Sequence, residues 1–396
     1  MNKQSEKKEK NSSETKEPFL QDSLVQEKEA PEAKGFKAFL KRQNIEFSFQ
    51  RYGIDALGAM ALGLFASLLI GTIVNTLGSL FGDANPLGHV LLTAGSYAMK
   101  ATGPAMAVAI AYSLKAPPLV LFTCAGVGFA ANSLGGAGGP LAVFVVVVIA
   151  CELGKLVSKV TPVDIIVTPL VTILSGVALS MWWAPAIGKA ASAVGGAIMW
   201  ATEMQPFVMG ILVSVIMGIA LTLPISSAAI AAALGLVGLA GGAGVAGCCA
   251  QMVGFAVMSY PDNGLGGLVA QGLGTSMLQI PNIMRKPVIW LPPIIASAIT
   301  GPIATTWFKL EMNGAPISSG MGTSGLVGQI GVITGWLNPS EEALAHGAAA
   351  VGASGLSWLY LILISLVLPA LLTWLIALPM RKAGWIKPGD TKLNLG

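Results

Sequence analysis

The chain has 396 residues, of which 54% are hydrophobic, 11% charged and 49 are glycine. An average soluble domain carries about 25% charged residues, so the composition speaks against a single water-soluble globule. Residues 1–51 hold 11 of the 23 Lys/Arg and 9 of the 19 Asp/Glu, which leaves a body too poor in charge to cover a wet surface. The net charge of +4 then bears on orientation in a bilayer, and no nucleic-acid partner is expected.

Residues 1–45 mix Lys and Glu with few apolar positions and are expected to be a disordered, charged cytoplasmic tail. They are not a signal peptide, because the first long apolar run begins near Ile54. Within 35–51, Phe36, Phe39, Leu40 and Phe47 alternate with Lys37, Lys41, Arg42 and Arg51. That pattern suits a short amphipathic helix on an anionic leaflet, or else a solvated linker. The membrane body is expected over 52–380, with a short cytoplasmic tail at 381–396.

A spanning helix needs about 20 mostly apolar residues. Ten segments qualify: 54–78, 89–113, 117–134, 139–156, 164–183, 205–223, 226–243, 245–260, 287–308 and 353–379. Basic residues before the first span, at Lys115, Lys155, Lys159, Arg285 and Lys286, and after the last span, put both termini on the cytoplasmic side. Lys189 and Lys309 are exceptions in expected outer loops, and Glu152 and Asp164 are expected to be solvated. Cys124, Cys151, Cys248 and Cys249 lie in apolar context without zinc-ligand spacing and read as reduced packing residues. His89 and His346 are too few for a metal site, so neither a metal nor a cofactor is expected.

Two apolar stretches interrupted by Gly, Pro and hydroxyl residues, 262–281 and 313–335, resist assignment as ordinary spans. Irregular backbone at membrane depth survives only inside protein or along a wet cavity, so both read as re-entrant hairpins. Weak internal repeats accompany them. Gly63-x3-Ser67-x3-Gly71 recurs as Gly210-x3-Ser214-x3-Gly218, Pro104-AMAVAIA resembles Pro224-ISSAAIA, and GGAG occurs at 135–138 and 241–244. Five spans per half would invert one half relative to the other, with a solute site between the repeats. The expected fold is an all-α integral membrane protein of about ten transmembrane helices, in two inverted-repeat-like halves with two re-entrant hairpins.

The most specific signal is a shorter repeat. Gly272-Leu-Gly274-Thr275-Ser276-Met-Leu278 recurs as Gly320-Met-Gly322-Thr323-Ser324-Gly-Leu326, followed by Gln279 and Gln329 respectively. Glycines permit tight turns, and a Thr-Ser pair after the turn caps a half-helix while leaving hydroxyls and amides free for a ligand. Two such tips meeting at mid-depth match a polyhydroxylated or small anionic solute; otherwise they are turns that satisfy their own backbone. Gln251, Asn282, Asp262, Asn263, Asn132 and Glu203 lie around them. Lys100, in the second span beside Gly103-Pro104, either serves the solute or snorkels. There is no Walker A loop, no Gly-x-Ser-x-Gly elbow and no His/Cys/Asp cluster, so no catalytic residue is expected.

The runs SSAAIAAALGLVGLAGGAGVAGCCAQMVGFAV (226–257), GLGTSMLQIPNI (272–283), PPIIASAITGPIATT (292–306) and GMGTSGLVGQIG (320–331) resemble a bacterial membrane family. That family comprises the EIIC components of the phosphoenolpyruvate-dependent sugar phosphotransferase system, here the branch labelled putative toxin-gene regulators after a perfringolysin regulator. The resemblance implies a homodimeric sugar-type permease subunit in the bacterial cell membrane, with re-entrant hairpins and separate IIA and IIB phosphocarrier proteins. Sugar EIICs hold the sugar with a glutamate and a histidine, and no motif assigns such a pair here. A membrane sensor of gene expression, a gradient-driven transporter without phosphorylation and a channel remain as alternatives.

Overall fold

A computed structural model describes residues 35–350 and 353–394. Residues 1–34 of the expected tail lie outside the described residues. Among the described residues every named element is helical, and one isolated β-bridge joins Gly238 and Met312. The residues up to Arg42 and those from Gln43 onward form separate compact units. In the first, α1 (Phe36–Arg42) places Lys41 and Arg42 in its last turn, where cations suit the negative end of the helix dipole.

In the second unit, six helical stretches are long and apolar enough to cross a membrane. Helix α2 (50–81) is continuous through two π-helical segments, Gln50–Ala56 and Phe65–Leu69. Helix α3 (Pro86–Lys100) doubles back along it, with Gly71 and Gly95 at the contact. The expected span 89–113 is broken at Ala101 (φ −78°, ψ 2°) and resumes as α4 (Thr102–Ser113). Helices α5 (Pro118–Gly135) and α6 (Gly139–Val157) are antiparallel: the chain reverses at Gly136, Gly154 faces Val120, and Gly135 faces Ala142.

The remaining boundaries need two corrections. Helix α7 (Asp164–Thr202) does not stop near 183; it runs for 39 residues, about 58 Å at ~1.5 Å per residue. Ala184, Ala191, Gly195 and Ile198 continue one buried helical stripe, and the helix carries on through Pro169 and Pro185. Lys189 therefore lies on a helix and not in a loop. After α8 (Pro206–Thr222), the expected spans 226–243 and 245–260 are instead a seven-residue helix, α9 (Ser227–Ala233), and one long helix, α10 (Gly238–Met258). Gly235 and Gly238, both at positive φ, carry the bend between them. The glycines within 241–247 do not turn the chain, because their missing side chains let α10 press directly on its neighbours. Gly247 abuts the Ser214 backbone of α8, and Gly244 abuts the Ser319 carbonyl. Every residue from Gly241 to Ala256 is buried, which makes α10 the axis of this unit. The two GGAG copies also differ, one forming the α5–α6 turn and the other lying inside α10.

Two broken hairpins follow. The first runs through α11 (Tyr260–Val269) and Ala270–Gly274, reverses at Thr275, and returns as Ser276–Gln279 and α12 (Ile280–Arg285). After α13 (Pro287–Trp307), the second descends as Pro316–Gly320, turns through 321–326, and returns as α14 (Val327–Leu337). Its arms are antiparallel, since Gly331 meets Ser318 and Gly335 meets Asn313. Helices α15 (Glu341–Ala345) and α16 (Gly355–Lys382) complete the chain.

Contrary to expectation, Glu152 is buried. It pairs with the fully buried Lys155 at 2.9 Å, and Lys155 Nζ also donates to the carbonyls of Asn44 (2.7 Å) and Leu114 (3.2 Å). Arg51 donates to the same two carbonyls at 2.7 and 2.6 Å. A buried charge is tolerable only when its lost hydration is replaced in this way. The cluster joins the start of α2 to the ends of α4 and α6. Asp164 is half-buried and accepts from Lys159 N and Thr168 Oγ1, both at 2.6 Å.

Candidate functional site

The two GxGTS tips meet, and both press on α10. In the first, Thr275 is extended (φ −158°, ψ 144°), and its Oγ1 accepts from Met277 N at 3.1 Å. This caps the return arm, as a Thr before a helical turn does. Ser276 Oγ lies 2.8 Å from Thr222 Oγ1, which also donates to Gln251 Oε1 at 3.2 Å. The same Gln251 oxygen accepts from Trp290 Nε1 at 2.9 Å, so Gln251 ties α8, α10 and α13 together behind the tip.

The second tip turns more tightly. Gly322 takes φ +52°, and a Cβ there would stand 2.7 Å from Cys248 Cβ and 2.8 Å from the Cys248 carbonyl carbon. Only glycine satisfies both the left-handed backbone and the close approach. Thr323 Oγ1 donates to Met252 Sδ at 3.6 Å, and Gln329 Nε2 donates to Cys249 Sγ at 3.3 Å. Ser324 Oγ and Gln329 Oε1 are buried without a hydrogen-bond partner.

Between the tips lies a cavity of about 190 Å³. The first tip lends it Thr275 and Met277, and the second Met321 and Ser324. Its remaining polar lining is Thr102, Asn132, Ser226 and Ser227, against an apolar wall that includes Leu64 and Leu68 of α2. No Asp, Glu, Lys, Arg or His side chain lines it. A few placed hydroxyls and a carboxamide on a mostly apolar wall are the usual makeup of a small-molecule pocket.

The expected residues thus separate. Thr275 and Ser324 line the cavity. Ser276, Thr323, Gln251 and Gln329 stand behind the tips in side-chain contacts. Gly274 faces the Phe65 ring, Gly320 the Ser227 carbonyl and Gly272 the Ala256 methyl, so these glycines serve packing. Gln279 and Asn282 are buried away from the cavity; Gln279 Nε2 donates to Gln271 Oε1, and Asn282 Nδ2 donates to Gln279 Oε1. Lys100 is exposed at the end of α3, 5.6 Å from the Tyr97 ring centroid. His89 sits on the surface beside Asp83, 2.9 Å away.

The lining residues that sequence reasoning passed over had signals. Thr102 marks the break beside Gly103-Pro104, two residues after Lys100. Its hydroxyl donates to the Met99 carbonyl at 2.6 Å. Ser226 and Ser227 stand in the Pro224-ISSAAIA repeat, whose two adjacent hydroxyls are the signal. Ser226 Oγ accepts from Ala229 N, and Ser227 Oγ donates to the Gly320 carbonyl at 2.6 Å, which joins α9 to the second hairpin. Met277 and Met321 occupy the variable positions of the repeat and gave no signal.

No curated protein and no solved structure matches the chain. A family model described as Phosphotransferase system, EIIC, matches residues 54–393, a range that contains both tips and the whole cavity. The chain is a multi-pass membrane protein, and it belongs to the phosphotransferase system EIIC family.

Proposed function

We propose that the cavity between the two tips is the solute site of a sugar permease subunit, and that its solute is neutral. One observation carries this reading: both copies of the GxGTS repeat contribute a hydroxyl residue to one cavity that has no ionisable side chain. A sugar offers many hydroxyls, each able to donate and accept. The buried, unpartnered Ser324 Oγ is a group that such a ligand would satisfy. A carboxylate in the same space would lose its hydration without finding a cation, which costs far more than burying a hydroxyl.

In this reading the hairpins are re-entrant, entering from opposite faces and meeting at mid-depth between two inverted-repeat-like halves. Both termini are cytoplasmic, the subunit works as a homodimer, and separate IIA and IIB proteins supply the phosphoryl group. The 1–45 tail lies on the cytoplasmic side, with α1 at the lipid surface. No catalytic residue is assigned to this chain, and the phosphoryl chemistry belongs to the partner.

Two measurements test the proposal. Purified protein is screened by thermal unfolding against neutral sugars, sugar acids and nucleosides; a neutral sugar is expected to raise the melting temperature by mass action, and the matching sugar acid is not. Proteoliposomes are then assayed for uptake of that sugar, with and without phosphorylated IIB. Saturable binding without flux would move the chain to the sensor reading. Stabilisation by sugar acids alone would overturn the neutral site.

A further inference from the structure

Gln279 and Asn282, together with Asp262 and Asn263, read from sequence as neighbours of the solute. In the fold all four turn toward the segment 389–393. Asp262 Oδ1 accepts from Gly389 N at 2.9 Å, and its Oδ2 accepts from Thr391 N (3.2 Å) and Thr391 Oγ1 (2.5 Å). Asn263 Nδ2 donates to the Thr391 carbonyl at 2.8 Å, and its Oδ1 accepts from Leu393 N at 2.7 Å. These two residues belong to the outgoing arm of the first hairpin.

The returning arm holds the same segment. Gln279 Nε2 donates to the Thr391 carbonyl (2.9 Å), Asn282 Nδ2 to the Lys392 carbonyl (2.9 Å), and Lys286 Nζ, just past the arm, to Asp390 Oδ2 (2.5 Å). Thr391 is fully buried and Leu393 nearly so, while Gly389 and Lys392 are exposed. Both arms of a broken hairpin are thus fastened at their base by one short segment. The fastening is almost wholly polar and reaches solvent, so water can replace its bonds one by one.

What the fastened arm separates gives this contact a consequence. A second cavity of about 290 Å³ adjoins the hairpin, lined by Asp55 and Leu62 of α2, Leu278, Asn282 and Arg285 of the returning arm, and Leu393 of the segment. The cavity at the tips is lined by Leu64 of α2 and Met277 of the same arm. Consecutive residues Met277 and Leu278 therefore face different cavities, as do Leu62 and Leu64. Leu62 and Leu64 point to opposite sides of their helix, so α2 and the start of the returning arm stand between the two cavities. Met277 and Leu278 are both buried, so the wall is closed.

We infer that residues 389–393 are a latch: they hold the first hairpin as the closed wall between the solute cavity and the second cavity, and their release opens the passage between the two. The inference rests on the proposed function only in taking the tip cavity as the solute site. Hinge motion is absorbed by a few loop or element-terminal residues that take up large φ/ψ changes. Here Gly264, at φ +58° inside α11, supplies a bend in the outgoing arm beside the latch contacts.

Thiol reactivity tests the latch without any need for sugar flux. The probe is Ala228→Cys, at the tip cavity, with the four native cysteines buried and the parent chain as baseline. A membrane-impermeant methanethiosulfonate is applied to the membrane face that carries residues 389–393. Unlatching by Asp262→Ala with Asn263→Ala is expected to speed labelling at least tenfold. Joining Asn263→Cys to Leu393→Cys with a short bis-maleimide before labelling is expected to slow it at least fivefold below the unjoined chain. A folded double variant that labels at the parental rate overturns the latch. If that variant does not fold, the joined chain decides, and equal rates with and without the cross-link overturn it. A chain that shows these rate differences but binds no sugar overturns the solute reading and leaves the latch standing.

Discussion

The two hairpins begin from almost the same seven residues and end in different physical states. At the first, every polar group of the motif is engaged: Thr275 caps its own arm, Ser276 meets Thr222, and Gln279 is held between Gln271 and the Thr391 carbonyl. At the second, the turn is wound through Gly322 and Gly325 at positive φ and wedged against α10, leaving Ser324 Oγ and Gln329 Oε1 without partners. The motif specifies a tip, and the residues after it decide whether that tip is fastened or left with open valences. Met-Leu-Gln-Ile-Pro in the first hairpin continues into a capped helical arm. Gly-Leu-Val-Gly in the second adds another turn and presses the tip inward.

Exchanging the first glycine of each copy gives the largest expected contrast. A Cβ on Gly320 would collide with the Ser227 carbonyl, whereas one on Gly272 would meet nothing closer than the Ala256 methyl at 3.5 Å. Gly320→Ala is expected to destabilise by about 2–3 kcal/mol, as overpacking against backbone does. Gly272→Ala, on helical backbone with room for a methyl, is expected to be neutral or stabilising by up to about 1 kcal/mol. Unfolding temperatures in detergent would check this, and equal losses at both positions would show that the copies are packed alike.

The serines sharpen the contrast by separating stability from binding. Ser276→Ala removes a buried hydrogen bond and is expected to cost about 1 kcal/mol. Ser324→Ala removes a buried hydroxyl that has no partner, so stability should hold or rise slightly, while affinity for a neutral sugar falls about 3- to 10-fold. A stabilised variant with weakened binding would be hard to explain unless Ser324 faces the solute. For the threonines, Thr275→Ala is expected to weaken binding by a similar factor and Thr323→Ala to leave it within about twofold, read by titration of the thermal shift. Thr323 is directed at Met252 Sδ and not at the cavity; if its loss weakened binding as much, the tips would act symmetrically.

Local patterns with strong backbone consequences were legible in the sequence. The two tips, their meeting and the all-helical body follow from hydrophobic length and from the GxGTS repeat. Depth along a helix was not legible. The glycines of 241–247, which straddle the boundary expected between spans 226–243 and 245–260, are contact surfaces, because whether a glycine turns the chain or admits a neighbour depends on what is packed against it. Lys155 and Glu152 read as markers of a wet loop, yet two carbonyls from distant parts of the chain and the Glu152 carboxylate one turn away replace the hydration of Lys155. Gln279 and Asn282 sat at the right spacing for a solute site, but their partner is a segment more than 100 residues further on. No local pattern announces a contact of that range.

The smallest expected effect concerns the Asp390–Lys286 pair, which exists at the first hairpin and has no counterpart at the second among the described residues. Burial alone would raise the Asp390 carboxyl, but hydrogen bonds from Lys286 Nζ and Lys387 N, with the charges of both lysines, hold it below the usual carboxylate range. A carboxyl with a depressed value in the folded state contributes stability that is fully present above its unfolded value and lost as the pH falls through the folded one. The pair is partly exposed, with side chains 31% and 22% accessible, so its contribution is about 0.5–1 kcal/mol. Asp390→Asn is therefore expected to lower the unfolding temperature slightly and equally from pH 8 to about pH 5, with the difference from the parent shrinking below about pH 4. A difference that instead grew toward acid pH would mean that Asp390 is destabilised by its surroundings, and that the latch holds without its ion pair.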